Sequence, residues 1–474
     1  MIIGKLFKAA LTAAFLCMFA AGCSFTAAPA ELLTKPKLTD ERQALMKAVD
    51  EARPQYSKLT LPLKDDGQGA VRQVDLNGDG SPEAIVTLFN EYSVPELMVF
   101  RKISGSWRSW FIVEQPMARQ IDWIKIDDFD GNGKAELAVG WVGSFESPNL
   151  AEFYSFQTKP IRNEEGKLVL QPIESMPYLI AETGDVNADG KLDIAIIETD
   201  AANPDVVLPS YTLKVYDWRD RGLSLLQQTK LFEGVNMYDR MLIGRVSKQN
   251  TGIVVEASTG AHAMYTGMYA WVNGGLKQVY PQVKLIAAPS ESGISERPSL
   301  SGDIDGDGII ELVNPVAAPG SNDLSYAETY WINIWEQWDG GERFVNVMEE
   351  YSDYSYRVQL TIPEQWKNHY TISAPSSSDS YAIANIEYWN GQKEYKAPFA
   401  VIYAVPLQKR EQTESAWKEQ SKGYVALAAD NGVLYALSYR NPPVTLAKDD
   451  LDLFNSMQLE DEEISVLFHR IEDQ

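Results

Sequence analysis

Asp303-Ile304-Asp305-Gly306-Asp307-Gly308-Ile309-Ile310-Glu311 decides the fold, because the same nine-residue frame occurs three more times in the chain. The other copies are Asp75-Leu76-Asn77-Gly78-Asp79-Gly80-Ser81-Pro82-Glu83, Asp128-Phe129-Asp130-Gly131-Asn132-Gly133-Lys134-Ala135-Glu136 and Asp185-Val186-Asn187-Ala188-Asp189-Gly190-Lys191-Leu192-Asp193. Each copy reads Asp-x-Asp/Asn-x-Asp/Asn-Gly-x-x-Asp/Glu. Each runs straight into an apolar stretch: Ala84-Ile85-Val86, Leu137-Ala138-Val139, Ile194-Ala195-Ile196-Ile197 and Leu312-Val313. A short β-branched run after a turn reads as a buried strand.

The spacing follows from the needs of a hard cation. Calcium takes six to eight oxygens at about 2.3–2.6 Å. A tight loop places side chains 1, 3 and 5 on one concave side, and the carbonyl of residue 7 adds a further oxygen. Glycine at position 6 permits a left-handed turn, and the acid at position 9 closes the cage. The expected ligands are therefore Asp75, Asn77, Asp79, the Ser81 carbonyl and Glu83 in the first loop. In the second they are Asp128, Asp130, Asn132, the Lys134 carbonyl and Glu136, and in the third Asp185, Asn187, Asp189, the Lys191 carbonyl and Asp193. The fourth set is Asp303, Asp305, Asp307, the Ile309 carbonyl and Glu311, with one more carboxylate than the others and hence the tightest expected site. In an EF-hand the closing acid comes at position 12 between two helices; here it comes at 9 before a strand. At a dissociation constant of ~10⁻⁴ M, millimolar calcium would stabilise each site by about 1.4 kcal/mol.

The first acids of the four copies are 53, 57 and 118 residues apart, and the last gap is twice 59. A missing copy is due near residue 244. There Gly244-Arg245-Val246-Ser247 precedes Gly252-Ile253-Val254-Val255, a fifth repeat without carboxylates. A period of this length suits a four-stranded propeller blade. In the third unit the strands are expected at Leu179–Val186, Ile194–Glu198, Tyr211–Trp218 and Leu223–Leu231. Aromatic third strands recur at Leu97–Phe100, Phe153–Phe156, Met268–Trp271 and Tyr330–Trp335, so most of the 12 Trp and 23 Tyr are expected between blades.

Loops of this pattern, each before a buried strand, resemble the FG-GAP or VCBS repeats of integrin-α-type β-propellers over about residues 60 to 350. The resemblance implies a mainly β fold with calcium as a structural ion. Five repeats are countable. Integrin-type propellers usually have seven blades, so rings of six or seven stay open beside five.

The N-terminus reads as an address. Lys5 and Lys8 precede an apolar run from Ala9 to Ala21, and Ala20-Ala21-Gly22-Cys23 follows. This layout is that of a secretory signal, and its ending is similar to the lipobox of bacterial lipoproteins, with Ala20 where Leu is usual. Residues 1–22 are thus expected to be removed and Cys23 lipidated, holding the chain on the extracellular face of a cell membrane of Gram-positive type. Residues 23–58 then make a tether and a short helix over Asp40–Ala52, capped by Thr39 and closed by Pro54. Cys17 and Cys23 are the only cysteines among 474 residues, so no disulfide framework is expected. The net charge of −24 argues against nucleic acid and favours cations.

Residues 59–354 are expected to form the propeller and 355–474 a small α+β domain. Its strands are expected at Tyr381–Trp389, Phe399–Val405, Tyr424–Ala429 and Val433–Tyr439, the last two joined through Asp430-Asn431-Gly432. Helical pieces are expected at Ser415–Gln420 and after Lys448. Alternatively, Arg357–Ile362 would fasten the ring by joining the first blade. The three histidines, His262, His369 and His469, lack zinc-site spacing, and there is no nucleophile elbow, P-loop or dinucleotide fingerprint. The reading is a binding or scaffolding surface protein, with a surface protein or wall glycan as partner. The alternative is a propeller glycosidase using a carboxylate pair.

Overall fold

The computed structural model describes residues 39–471, apart from 65, 145–146, 201–208, 220–221, 283–291, 322–323 and 393–394. Cys23 and the expected signal and tether fall outside the described residues. No helix among the described residues is long and apolar enough to cross a membrane.

The chain is mainly β and folds as six largely antiparallel sheets in succession. Helix α1 (Asp40–Ala52) comes first, and the Thr39 hydroxyl accepts the Arg42 N–H as its cap. The first sheet contains β1 (Lys58–Leu59), β2 (Val71–Val74), β3 (Glu83–Phe89), β4 (Pro95–Ile103) and β5 (Ser106–Glu114). The second has β6 (Ala118–Asp127), β7 (Glu136–Gly143) and β8 (Asn149–Ser155). The chain then makes an excursion through β9 (Ile161–Arg162) and β10 (Leu168–Val169), which pairs parallel to β5 of the first sheet, before β11 (Glu174–Tyr178) completes the second. The third is a four-strand meander of β12 (Ile180–Gly184), β13 (Asp193–Thr199), β14 (Tyr211–Arg219) and β15 (Gly222–Lys230), close to the expected bounds. The fourth comprises β16 (Met237–Arg245), β17 (Thr251–Ser258), β18 (Met264–Val272) and β19 (Gly275–Tyr280), with β20 (Ile294–Ser295) against β18.

The fifth sheet has β21 (Leu312–Ala317), β22 (Trp331–Trp338), β23 (Phe344–Asp353) and β24 (Val358–Thr361). Its leading strand shrinks to one bridge, Gly302 to Glu311. The sixth has β25 (Tyr370–Ser373), β26 (Ala382–Trp389), β27 (Lys396–Pro406), β28 (Val425–Asp430) and β29 (Val433–Tyr439). Helix α2 (Arg410–Glu419) lies between β27 and β28; α3 (Lys448–Ser456), α4 (Asp461–Val466) and β30 (Phe468–Arg470) end the described chain.

Two expectations about the C-terminal part are corrected. Arg357–Ile362 does not join the first blade: β24 pairs antiparallel with β23 of its own sheet and with β30 from the chain end. The break expected after residue 354 falls inside the fifth sheet. One apolar cluster, including Ile332, Leu360, Trp366, Ile386, Phe399 and Phe454, joins the fifth sheet to the sixth. Burial of Trp366, whose indole N–H donates to the Met457 carbonyl, fixes this junction.

Apolar clusters elsewhere also join neighbours in sequence. One packs the first sheet on the second (Ile85, Val99, Leu137, Trp141), another the second on the third (Phe129, Phe153, Ile196, Trp218). A third packs the third sheet on the fourth through Val215, Tyr238 and Tyr265, and a fourth packs the fourth on the fifth through Val254, Met268, Leu312 and Trp338. Trp218 stacks on Phe129 at 5.7 Å and meets Phe153 edge-on, which is the inter-sheet role expected of the aromatics. The remaining face of the first sheet (Ala84, Val86, Leu88, Phe100) is covered by Leu45 and Val49 of α1. The remaining face of the sixth (Val401, Tyr403, Val405) is covered by Trp417 of α2. Among the described residues, no apolar cluster contains both the first and the sixth sheets.

Candidate metal centres

All four acidic loops occupy one place in the fold, the turn that leads into the first long core strand of a sheet. The residue before position 1 pairs with position 9 every time: Val74 with Glu83, Asp127 with Glu136, Gly184 with Asp193 and Gly302 with Glu311. The acid at position 9 therefore begins a core strand and is buried, with Glu83 5%, Glu136 1%, Asp193 1% and Glu311 0% exposed. Positions 1, 3 and 5 stay at the surface or near it.

Hydrogen bonds within each loop repeat with the sequence. The carboxylate at position 1 accepts the N–H of position 6: Gly80 to Asp75 at 2.7 Å, Gly133 to Asp128 at 2.8 Å, Gly190 to Asp185 at 2.9 Å and Gly308 to Asp303 at 3.0 Å. The acid at position 9 accepts the N–H of position 2, from Leu76, Phe129, Val186 and Ile304. The side chain at position 5 (Asp79, Asn132, Asp189, Asp307) accepts the N–H of position 7. To close so tightly the backbone turns left-handed at positions 4 and 6 alike, as at Gly306 and Gly308 with φ +80° each. Ala188 holds position 4 of the third loop at φ 60°, a strained choice for a residue with a Cβ.

Three carboxylates converge in two loops. Oxygens of Asp128, Asp130 and Glu136 lie within 4.8 Å of one another, as do those of Asp303, Asp305 and Glu311. The converging positions are 1, 3 and 9. The first and third loops have Asn77 and Asn187 at position 3, which brings a neutral amide where the others bring a third charge. In the first loop that amide donates to Glu83 at 2.9 Å. The position-5 side chain bonds the turn as well, just as positions 1 and 9 do.

Burial dominates the electrostatics of position 9. Burial pushes the Glu136 carboxyl up to about 7, and the Asp130 and Asp128 charges add to it. Burial likewise pushes Asp193 up to about 7 and raises Glu83 and Glu311. Asp75, at the surface, is held below the usual range by the Gly80 N–H and its neighbours. Among the described residues none of the loop carboxylates forms an ion pair with Lys or Arg. The sixth sheet offers a contrast. Asp379, in the connection between β25 and β26, is paired by Arg440 at 2.8 Å and Lys422 at 3.5 Å. That acid is neutralised by the chain itself; the acids of the four loops have no such partner among the described residues. Hard oxygen donors, convergence and a charge without a protein counter-ion together fit a divalent metal.

Two contributors were not readable from sequence. Gln337 of β22 donates to Asp307 at 3.0 Å and to Glu311 at 2.9 Å, bracing the fourth loop from outside. Lys191 places its ammonium on the Asp130 carbonyl at 2.6 Å, tying the third loop to the second. Neither residue carries a local signal, because each acts on residues 26 to 61 positions away. The carboxylate-free copy is a tight hairpin instead. Arg245 pairs with Thr251, Val246 N–H donates to the Asn250 carbonyl, and the Ser247 hydroxyl accepts the Asn250 N–H. Val246 keeps the buried role of position 2.

No protein-family model matches the chain, and no curated protein matches it. Among solved structures, a Bacillus licheniformis rhamnogalacturonan lyase is similar over 72% of this chain and 74% of its own, at 12% identity and a TM-score of 0.25. A likeness that low carries no inference about fold or activity.

Proposed function

We propose that this chain is an exported, lipid-anchored binding protein whose FG-GAP/VCBS-like blades are stapled by calcium. The observation that carries the reading is the recurrence, at the same turn of four sheets, of one acidic loop whose position-9 acid is buried and whose carboxylates have no Lys or Arg partner among the described residues. An ion with oxygens at about 2.4 Å tolerates ligands up to about 4.8 Å apart, which matches the clusters of the second and fourth loops. Calcium suits an all-oxygen donor set better than zinc or copper, which prefer nitrogen and sulfur. Each ion would sit where a sheet begins, so its role is to pin strands together rather than to activate a substrate.

The blades form an open stack in this reading. Support comes from α1 on the first sheet and α2 on the sixth, which occupy the faces that ring closure would bring together. Capped ends of this kind also keep repeat arrays soluble. The anchor is the lipidated Cys23, and the exposed surface is left for a wall glycan or surface protein.

Thermal unfolding in millimolar calcium and in excess chelator tests the stapling. A calcium-dependent rise in Tm supports it, and equal Tm values in both sinks it. Membrane fractionation tests the anchor: Cys23→Ser should move the protein to the soluble fraction, and an unchanged distribution would remove the lipoprotein reading.

A further inference from the structure

The fifth sheet departs from its neighbours at one point. Its leading strand is a single bridge at Gly302, and Pro298 to Leu300 pass beside β22–β24 instead of joining a ladder. Along this side three cavities adjoin, of about 650, 470 and 750 Å³. The first two share Tyr326, Thr329 and Trp331; the second and third share Ser352 and Tyr354. Each has the size of a small-ligand pocket, and together they make an elongated cleft.

The cleft carries aromatic rings that are braced yet exposed. Tyr326 is 41% exposed, with His262 stacked on it at 4.5 Å and Trp331 tilted against it at 5.6 Å. Tyr354 is 57% exposed and carries the Arg297 guanidinium over its ring at 5.0 Å. Rings held this way lose little freedom when a ligand lies on them. Deeper in, the polar groups are fixed. Buried Glu350 accepts from Asn333 at 3.2 Å, from the Ser352 hydroxyl at 2.6 Å and from the Gln359 amide. Both amide nitrogens are thus committed, which leaves the amide carbonyls as acceptors. Trp335 and Ser299 line the same cavity, and the indole N–H and the hydroxyl are buried without a partner among the described residues. A buried donor left unpaired is costly, and a ligand hydroxyl would relieve it.

We propose that this cleft binds a neutral oligosaccharide chain. Rings present flat faces to sugar C–H groups, while the unpaired N–H and fixed amide carbonyls meet hydroxyls. An extended peptide would be taken up along the free edge of β21, which borders the first cavity alone, whereas the fixed amides of the third cavity lie over β22–β24. Glu296, Glu328, Glu350 and Asp353 line the cleft against Arg297 and Arg357, and the chain carries −24 overall, so an anionic polymer is repelled. The proposal rests on the binding-protein reading and names its ligand class.

Affinity electrophoresis of the full chain in millimolar calcium tests it, with gels containing a neutral glucan, mannan or xylan, and polygalacturonate as the anionic probe. Retardation by at least one neutral polysaccharide is expected. Tyr326→Ala and Tyr354→Ala should each weaken it by roughly tenfold or more. Trp335→Phe, which keeps the ring and removes the N–H, should weaken it several-fold. Tyr92→Ala, at an exposed tyrosine of the first sheet, should leave it unchanged. No retardation by any neutral polysaccharide, or retention by polygalacturonate alone, overturns the cleft while the calcium response of Tm still reads the stapling separately. Retardation that survives all three cleft substitutions keeps a glycan-binding protein and overturns this site.

Discussion

Replacing Glu136 with Gln should reverse its effect with the metal. In the metal-free chain the Glu136 carboxyl is pushed from 4.5 up to about 7 by burial and by Asp130 and Asp128. The folded state then binds this proton more tightly than the unfolded one. The charge therefore costs stability progressively as pH rises from about 4.5 through about 7, and the full cost stands above that. A shift of that size corresponds to roughly 3 kcal/mol. Glutamine is nearly isosteric and carries no charge, and its amide oxygen can still accept the Phe129 N–H. In chelator at pH 8, Glu136→Gln should thus be more stable than the parent by up to roughly 3 kcal/mol. In millimolar calcium the sign inverts, because the variant lacks a charged ligand at position 9 and binds the ion more weakly. Urea unfolding of both proteins in both conditions measures the two differences. A variant destabilised equally with and without calcium would refute the reasoning and reduce the loop to a turn.

Three further outcomes are expected. Without metal, Tm should fall between pH 5 and 8, since burial raises the carboxyls of Glu83, Glu136, Asp193 and Glu311; calcium should flatten that slope, and a metal-free Tm that rises with pH would contradict it. Gly78→Ala should destabilise the first two sheets, because its backbone has φ +73° and a Cβ there would lie 2.5 Å from the Gly133 carbonyl oxygen; an unchanged urea midpoint would remove that inter-loop contact from the account. Leu45→Ala should cost about 2–5 kcal/mol if α1 caps the first sheet, read as loss of hydrogen-exchange protection in β3 and β4, and full protection would dismiss the cap.

The loops and the strands that follow them were legible because both signals are local. Position 9 pairs with the residue before position 1, so nine consecutive residues specify the turn, its buried acid and the register of the hairpin. The same frame is present at buried Val246, in a segment without carboxylates. The hairpin at Asp430-Asn431-Gly432 was legible for the same reason, with Asn431 and Gly432 both left-handed. What failed depends on distance along the chain. The sixth sheet carries no acidic loop, so it read as a separate domain, although Trp366 and Phe399 build one core with the fifth sheet. Pairing of β24 with β30 joins segments about a hundred residues apart and leaves no periodic trace. The capping role of α1 and α2 was hidden as well, because an amphipathic helix does not say which sheet it covers. In the second and fourth acidic loops, the three-acid geometry at positions 1, 3 and 9 followed from burial of the strand, whereas the brace from Gln337 came from another strand altogether.

Calcium stoichiometry on the full chain is the most direct test of the central claim. Flow dialysis at pH 7.5 should find four ions per chain. Asp75→Ala, Asp128→Ala, Asp185→Ala and Asp303→Ala should each remove one, and Ser247→Ala in the carboxylate-free hairpin should remove none. A chain that binds no calcium at millimolar concentration, or binds it equally well without those acids, would contradict the account.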